Sequence, residues 1–252
     1  MILFSKYVAL ANIAIILTLR TIAHAAPITA NVIGSSVGDK GTVITEYRAG
    51  YEWDGDNAAQ DGAYTDRADF YYNLTGDTQF RMFINRVNSG TDDSDVTSVF
   101  IEPVFQIFNQ QRHGFDGAIL TGLAIADGDN GAHLVRTILS ATLPIRNGYA
   151  RHNSVIGHQF GSESVDGLRY EARWRIMQHA PILGEHTDIG VEMFNNFDNI
   201  RTTASFDSMI HRAGPVMTGK ITSTLAFQTG VLAGLSDNAP DTAAKFWLSY
   251  TF

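Results

Sequence analysis

The segment Thr242 to Phe252 (TAAKFWLSYTF) constrains the fold more than any other part of the chain. Ala244, Phe246, Leu248, Tyr250 and Phe252 alternate with Ala243, Lys245, Trp247, Ser249 and Thr251. Alternation at period two makes a strand with one apolar and one mostly polar face. In water, an uncovered aromatic strand edge invites aggregation. A closed transmembrane barrel removes the edge, because its last strand pairs with its first.

The other end predicts export. Lys6 gives a weak positive start, Val8 to Leu19 is a short apolar run, and Ala23-His24-Ala25 fits a small-x-small cleavage site. Residues 1–25 therefore read as a signal peptide, since the run is shorter than the ~20 residues of a spanning helix. Pro27 to Thr42 is small, polar and Gly/Ser-containing, so residues 26–42 read as a periplasmic leader. Residues 43–252 read as one β-barrel. The chain has no cysteine, which excludes disulfides, thiolate metal sites and a lipidated N-terminal Cys. Loss of Lys6 and Arg20 with the signal leaves 16 basic against 26 acidic residues, a formal charge of −10. That balance argues against nucleic acid as a partner.

From Val43 onward about twelve strands can be placed, with ten the alternative count. Together they predict an all-β, transmembrane, antiparallel up-and-down barrel. In the first strand Val43, Tyr47, Ala49, Tyr51 and Trp53 oppose Glu46, Arg48, Gly50, Glu52 and Asp54. In the second Ala68, Phe70, Tyr72 and Leu74 oppose Arg67, Asp69, Tyr71 and Asn73. The eighth is sharpest, with Leu168, Tyr170, Ala172, Trp174 and Ile176 against Arg169, Glu171, Arg173 and Arg175. Such charge density cannot enter a dry core without partners, whereas a wet or ion-paired lumen accepts it.

Other strands alternate less clearly. Ala118 to Ala126 (AILTGLAIA) is apolar on both faces, and Pro103 and Pro215 each remove a ladder donor. The tenth strand reads as about 205–219. Arg136 and Arg212 fall in these weaker strands, where a lipid-facing Arg at the midplane would cost ~2–4 kcal/mol. Long links follow mostly odd strands, as expected if both termini are periplasmic, although His179 to Glu185 is long for its side. Tyr47, Tyr51, Trp53, Tyr149, Tyr170, Trp174, Tyr250 and Phe252 could supply the two interfacial girdles.

The tail resembles the C-terminal strand of Gram-negative outer-membrane β-barrel proteins, in which a terminal Phe belongs to the assembly signal. That resemblance assigns Phe246, Leu248, Tyr250 and Phe252 to such a signal and implies the outer-membrane assembly machinery and lipids as partners. Glu102 to Phe108 (EPVFQIF), Gly214-Pro215-Val216, Gly230 to Asp237 (GVLAGLSD) and Ala239-Pro240-Asp241 resemble an uncharacterised porin/transporter group of proteobacterial outer-membrane proteins. The similarity runs from about Val99 to Phe252. It implies location in the cell outer membrane and a transport role, with no catalytic residues or cofactors carried over.

The inward face is expected to carry Glu46, Arg48, Glu52, Arg67, Asp69, Arg81, Glu102, Arg169, Glu171, Arg173, Arg175, Asp188, Glu192 and Lys245. One reading is a small passive channel for ions or small solutes, with these charges setting preference. The alternative is a closed structural barrel, because twelve strands lie between side-chain-filled and water-filled barrels. A third reading is a lipid hydrolase built on His152-Asn153-Ser154, where a His beside a Ser is the minimal hydroxyl-activating pair. No residue is positioned in sequence to orient that imidazole. Asp54-Gly55-Asp56-Asn57 and Asp127 to Gly131 space carboxylates as cation loops do but lack the closing Glu, and Asp-Gly is first a turn signal. No metal site is assigned.

Overall fold

The computed structural model describes residues 29–55, 61–88, 96–127, 132–161, 164, 167–199 and 205–252. The expected signal peptide lies outside these residues, as do parts of both acidic loops. Twelve strands follow in order: β1 (Val43–Trp53), β2 (Tyr64–Asn73), β3 (Thr78–Asn88), β4 (Val96–Phe108), β5 (Asp116–Ala126), β6 (His133–Ile145), β7 (Gly148–Phe160), β8 (Leu168–His179), β9 (Thr187–Asn199), β10 (Ile210–Lys220), β11 (Leu225–Gly234) and β12 (Thr242–Thr251). Neighbours pair antiparallel, and β12 closes on β1. The chain is an all-β, closed, twelve-stranded barrel, with a single helical turn, α1 (Gln110–His113), between β4 and β5.

The tail performs the closure. Leu248 stands opposite Tyr47 and Phe246 opposite Ala49, and the Phe252 N–H donates to the Val43 carbonyl at 2.9 Å. Alternation then sorts the wall. Tyr47, Trp53, Ile101, Ile125, Trp174, Ile176, Val191 and Phe246 point outward and are exposed, while Arg48, Glu52, Asp69, Glu102, Arg175 and Glu192 point inward and are buried. A protein in water would bury the first group and expose the second. Lipid outside and an enclosed lumen inside reverse that preference.

The odd-numbered strands end, and the even-numbered strands begin, at the far end of the barrel. The links after even strands (74–77, 109–115, 146–147, 180–186, 221–224) gather at the near end, where β1 begins and β12 finishes. The tightest, at 146–147, uses Asn147 at φ 58°, a conformation Asn tolerates. The tenth strand starts at Ile210, several residues later than expected. Ser205 and Ser208 instead hydrogen-bond the local backbone, which holds this stretch as a turn. Pro103 and Pro215 keep their strands but interrupt them on one side. The β4–β5 ladder passes from Ile101 to Val104, and the β10–β11 ladder from Ala213 to Val216.

Residues 29–37, part of the segment read as a periplasmic leader, lie inside the barrel. Residues 39–42 turn at the near end, where the Gly41 N–H donates to the Asn73 carbonyl at 2.8 Å with Gly41 at φ 85°. Upstream of that turn, Val37 to Thr29 climb the lumen. Val32 and Ser35 are fully buried, and Ile33 packs against Val104, Ala118, Leu120, Ile138 and Val155. Val32 packs on the opposite side against Phe194, Leu232 and Ala243. This explains β5: its inner face is apolar because a residue of its own chain covers it.

Candidate functional site in the barrel lumen

The structure brings the expected inward charges together as a set of ion pairs. On β1 and β2, Arg48 bonds Glu46 and lies 3.3 Å from Asp69, and its Nη2 donates to the Tyr71 hydroxyl at 2.9 Å. Arg67 Nε donates to Asp69 at 2.8 Å. On β8, Arg173 Nε donates to Glu171 at 2.9 Å. Arg175 Nε donates to Glu192 on β9 at 2.6 Å, and Lys245 on β12 bonds the same carboxylate. Arg81 on β3 faces Glu102 across the β3–β4 register. Asp188 sits at the near mouth, 3.2 Å from the His179 ring.

Several pairs reach over an intervening strand. Arg136 on β6 donates to Glu102 on β4 at 2.9 Å, passing over β5 at Gly122. A Cβ at Gly122 would meet the Glu102 side chain at 3.1 Å. Lys245 reaches Glu192 across β10 and β11, beside Gly230, where a Cβ would meet the lysine Cε at 3.3 Å. Arg212 on β10 bonds Glu52 on β1. Glycine at these two inner positions leaves the path that the long side chains follow.

Arg136, Arg151 and Arg212 are lumenal residues that strand patterning left unassigned. Their strands alternate weakly, so register alone did not choose a face. They join the seven bases expected inside, while Asp188 lies at the mouth. Among the described strand residues away from the mouths, therefore, ten basic side chains face six acidic ones. The whole chain carries a formal charge of −8, so basic charge is concentrated in the lumen. Trp247 also points inward, with Arg48 4.4 Å and Lys245 4.9 Å from its ring.

Residues 29–37 divide this interior. Their main chain meets the wall through side chains. The Ile33 N–H donates to Asn153 Oδ1 at 2.5 Å, and the Ile33 carbonyl accepts from Ser140 at 2.8 Å and from Asn153 Nδ2 at 3.0 Å. The Val37 N–H donates to Gln106 at 2.9 Å, and Thr29 Oγ1 donates to Asn85 at 3.1 Å. On the far side of the segment lies a cavity of about 120 Å³. Its lining includes Arg48, Arg67, Arg136, Arg169, Arg173 and Arg212, with Glu171 the acid among them.

The His152–Ser154 pair is formed, but on the outer face. His152 Nε2 lies 2.9 Å from Ser154 Oγ, and the imidazole stacks on Trp174 at 3.9 Å. Its Nδ1 is buried without a hydrogen-bond partner among the described residues. A catalytic imidazole needs an orienting acceptor at that nitrogen. Here Trp174 occupies the neighbouring strand position. The terminal residues Phe246, Leu248, Tyr250 and Phe252 all lie on the outer face, and the Tyr250 and Phe252 rings meet edge-on at 4.7 Å. Among the described residues no cluster of His, Asp and Glu is arranged to hold a metal ion.

No family model matches this sequence, and no curated protein matches it in sequence. Solved structures match it in shape. An outer-membrane channel from Pseudomonas putida F1 has a TM-score of 0.62 at 12% identity, covering 91% of this chain and 100% of that one. The KdgM porin in complex with disordered oligogalacturonate has a TM-score of 0.56 at 12% identity, covering 83% of this chain and 99% of that one. KdgM porin alone gives 0.54 at the same identity. These likenesses concern the fold, and they agree with the wall's inside-out patterning: the chain is a closed, twelve-stranded antiparallel β-barrel similar in shape to those outer-membrane channels.

Proposed function

We propose that this barrel is a passive outer-membrane channel for small anionic solutes. The observation that carries the reading is the lumen's excess of ten bases over six acids within an acidic chain. A permeating ion must exchange hydration for lining groups, so a basic lining favours anions. Arginine adds planar, paired donors that suit carboxylates. An acidic saccharide of the kind named for the KdgM complex has the matching chemistry. No covalent step is assigned, and the lumenal charges act electrostatically. The outward ladder Phe246, Leu248, Tyr250 and Phe252 supports recognition by the assembly machinery, and the apolar belt supports contact with lipid.

The reversal potential of the purified full chain in a planar bilayer under a potassium glucuronate gradient tests this reading. Anion preference is expected, and cation preference overturns it. The segment at 29–37 favours a second reading, a permanently closed structural barrel. Correctly folded protein that passes no current in any state would establish that alternative.

A further inference from the structure

We propose that residues 29–37 form a displaceable plug on an arginine site for carboxylate-bearing solutes, and that such a solute opens the lumen by taking the plug's place. The inference rests on the channel reading above. The plug presents oxygen atoms to arginines along its length. Arg48 Nη1 donates to the Thr29 carbonyl at 3.1 Å and Arg173 Nη1 to the Asn31 carbonyl at 3.2 Å. Arg175 Nη2 donates to Asn31 Oδ1 at 2.7 Å, and Arg151 Nη1 to the Val32 carbonyl at 3.4 Å. These are neutral acceptors on cationic donors. A carboxylate on the same donors would add the attraction of a full negative charge to the bond that each guanidinium makes.

Access and release both follow from the fold. Arg48 and Arg173 line the far-side cavity as well as gripping the plug, so a solute entering there meets donors already shared with it. Among the described residues, 29–37 have no backbone ladder with any strand, and the twelve strands close without them. The plug can therefore leave without opening the sheet. A solute shifts a conformational balance only through unequal affinity for the two states. Here the inequality is steric, because the place each plug carbonyl takes at Arg48 Nη1 and Arg173 Nη1 cannot hold a solute carboxylate as well. Val32 and Ile33, seated in apolar patches on opposite walls, return the plug when solute is absent.

The test uses two variants of the full chain, which has no cysteine of its own. In S35C the thiol replaces a fully buried hydroxyl, so its labelling by a maleimide reports plug release. In S35C/T142C the two thiols replace hydroxyls 2.6 Å apart, and a disulfide locks the plug. Folded S35C in micelles is labelled with sodium glucuronate, with glucose, or with sodium chloride at matched ionic strength. Glucuronate is expected to speed labelling at least about fivefold, with glucose and chloride inert. Oxidised S35C/T142C is expected to pass little current in a bilayer bathed in sodium glucuronate, and reduction is expected to restore it. Labelling that ignores glucuronate, or that responds equally to chloride, overturns the proposal. Equal, non-zero current from oxidised and reduced protein also overturns it while leaving the channel intact. Glucuronate-dependent labelling with no current in either form upholds displacement and removes the channel reading.

Discussion

The inner faces of β4 to β7 and those of β8, β9, β12, β1 and β2 enclose the same space, yet their chemistry differs. The first wall offers Val104, Ala118, Leu120, Ile138 and Val155, and receives Ile33. The second offers Arg48, Asp69, Arg173, Arg175, Glu192 and Lys245, and receives the Thr29 and Asn31 carbonyl oxygens and the Asn31 amide. An apolar lumenal wall is intelligible only when something dry covers it. A charged wall is intelligible only when every buried charge has a partner. One short segment supplies part of what each wall requires, which is why its two sides are so unlike.

The contrast can be broken by substitution, starting on the charged side. Glu192 is buried and bonded by both Arg175 and Lys245, so E192A strands two cations. A loss of about 3–5 kcal/mol is expected, read as a lower urea midpoint for the barrel folded in vesicles. On the apolar side, I33A should weaken the closed plug by about 2–5 kcal/mol. Because Ile33 belongs to no strand, the urea midpoint should move less than the labelling rate of S35C in the same background.

The outer surface gives the next test. Ile101 points outward midway along β4, and I101R should cost ~2–4 kcal/mol in refolding into vesicles. Arg136, inward and bonded to Glu102, shows that the same residue type is accommodated on the opposite face. The smallest effect belongs to R151Q. Its bond to the Val32 carbonyl is long at 3.4 Å and its bond to Thr142 at 3.0 Å does not touch the plug, so about 0.5–1.5 kcal/mol is expected, detectable as slightly faster S35C labelling. A larger effect there than for I33A would show that polar bonds to the plug's main chain, and not apolar packing, hold the plug.

Particular strands show what could be read in advance. In β1, β2, β8 and β12 one face is charged and the other apolar or aromatic, so both the strand and its inward residues were legible. All fourteen expected lumenal charges lie on the inner register or at its mouth. In β6 and β10 the alternation is blurred by residues such as Gly214 and Pro215, and Arg136 and Arg212 went unassigned for that reason. Ala118 to Ala126 appeared two-sided because its inner partner, Ile33, lies far upstream. Residues 26–42 looked like a linker because their Gly and Ser content resembles one. The signal that marked the plug was Val32-Ile33, an apolar pair set between polar residues.

By itself, the sequence determined the barrel. Period-two alternation states which side of a sheet each residue faces, and the aromatic final strand supplies a partner for the first. Only the tertiary structure decided what fills the interior. Contacts such as Ile33 with Asn153 or Glu52 with Arg212 span 120 and 160 positions, across a surface that has already closed on itself. A strand's pattern records the side of the sheet but not the neighbour across the lumen. The plug, the cross-strand ion pairs and the arginine cavity therefore exist only once closure has brought those residues together.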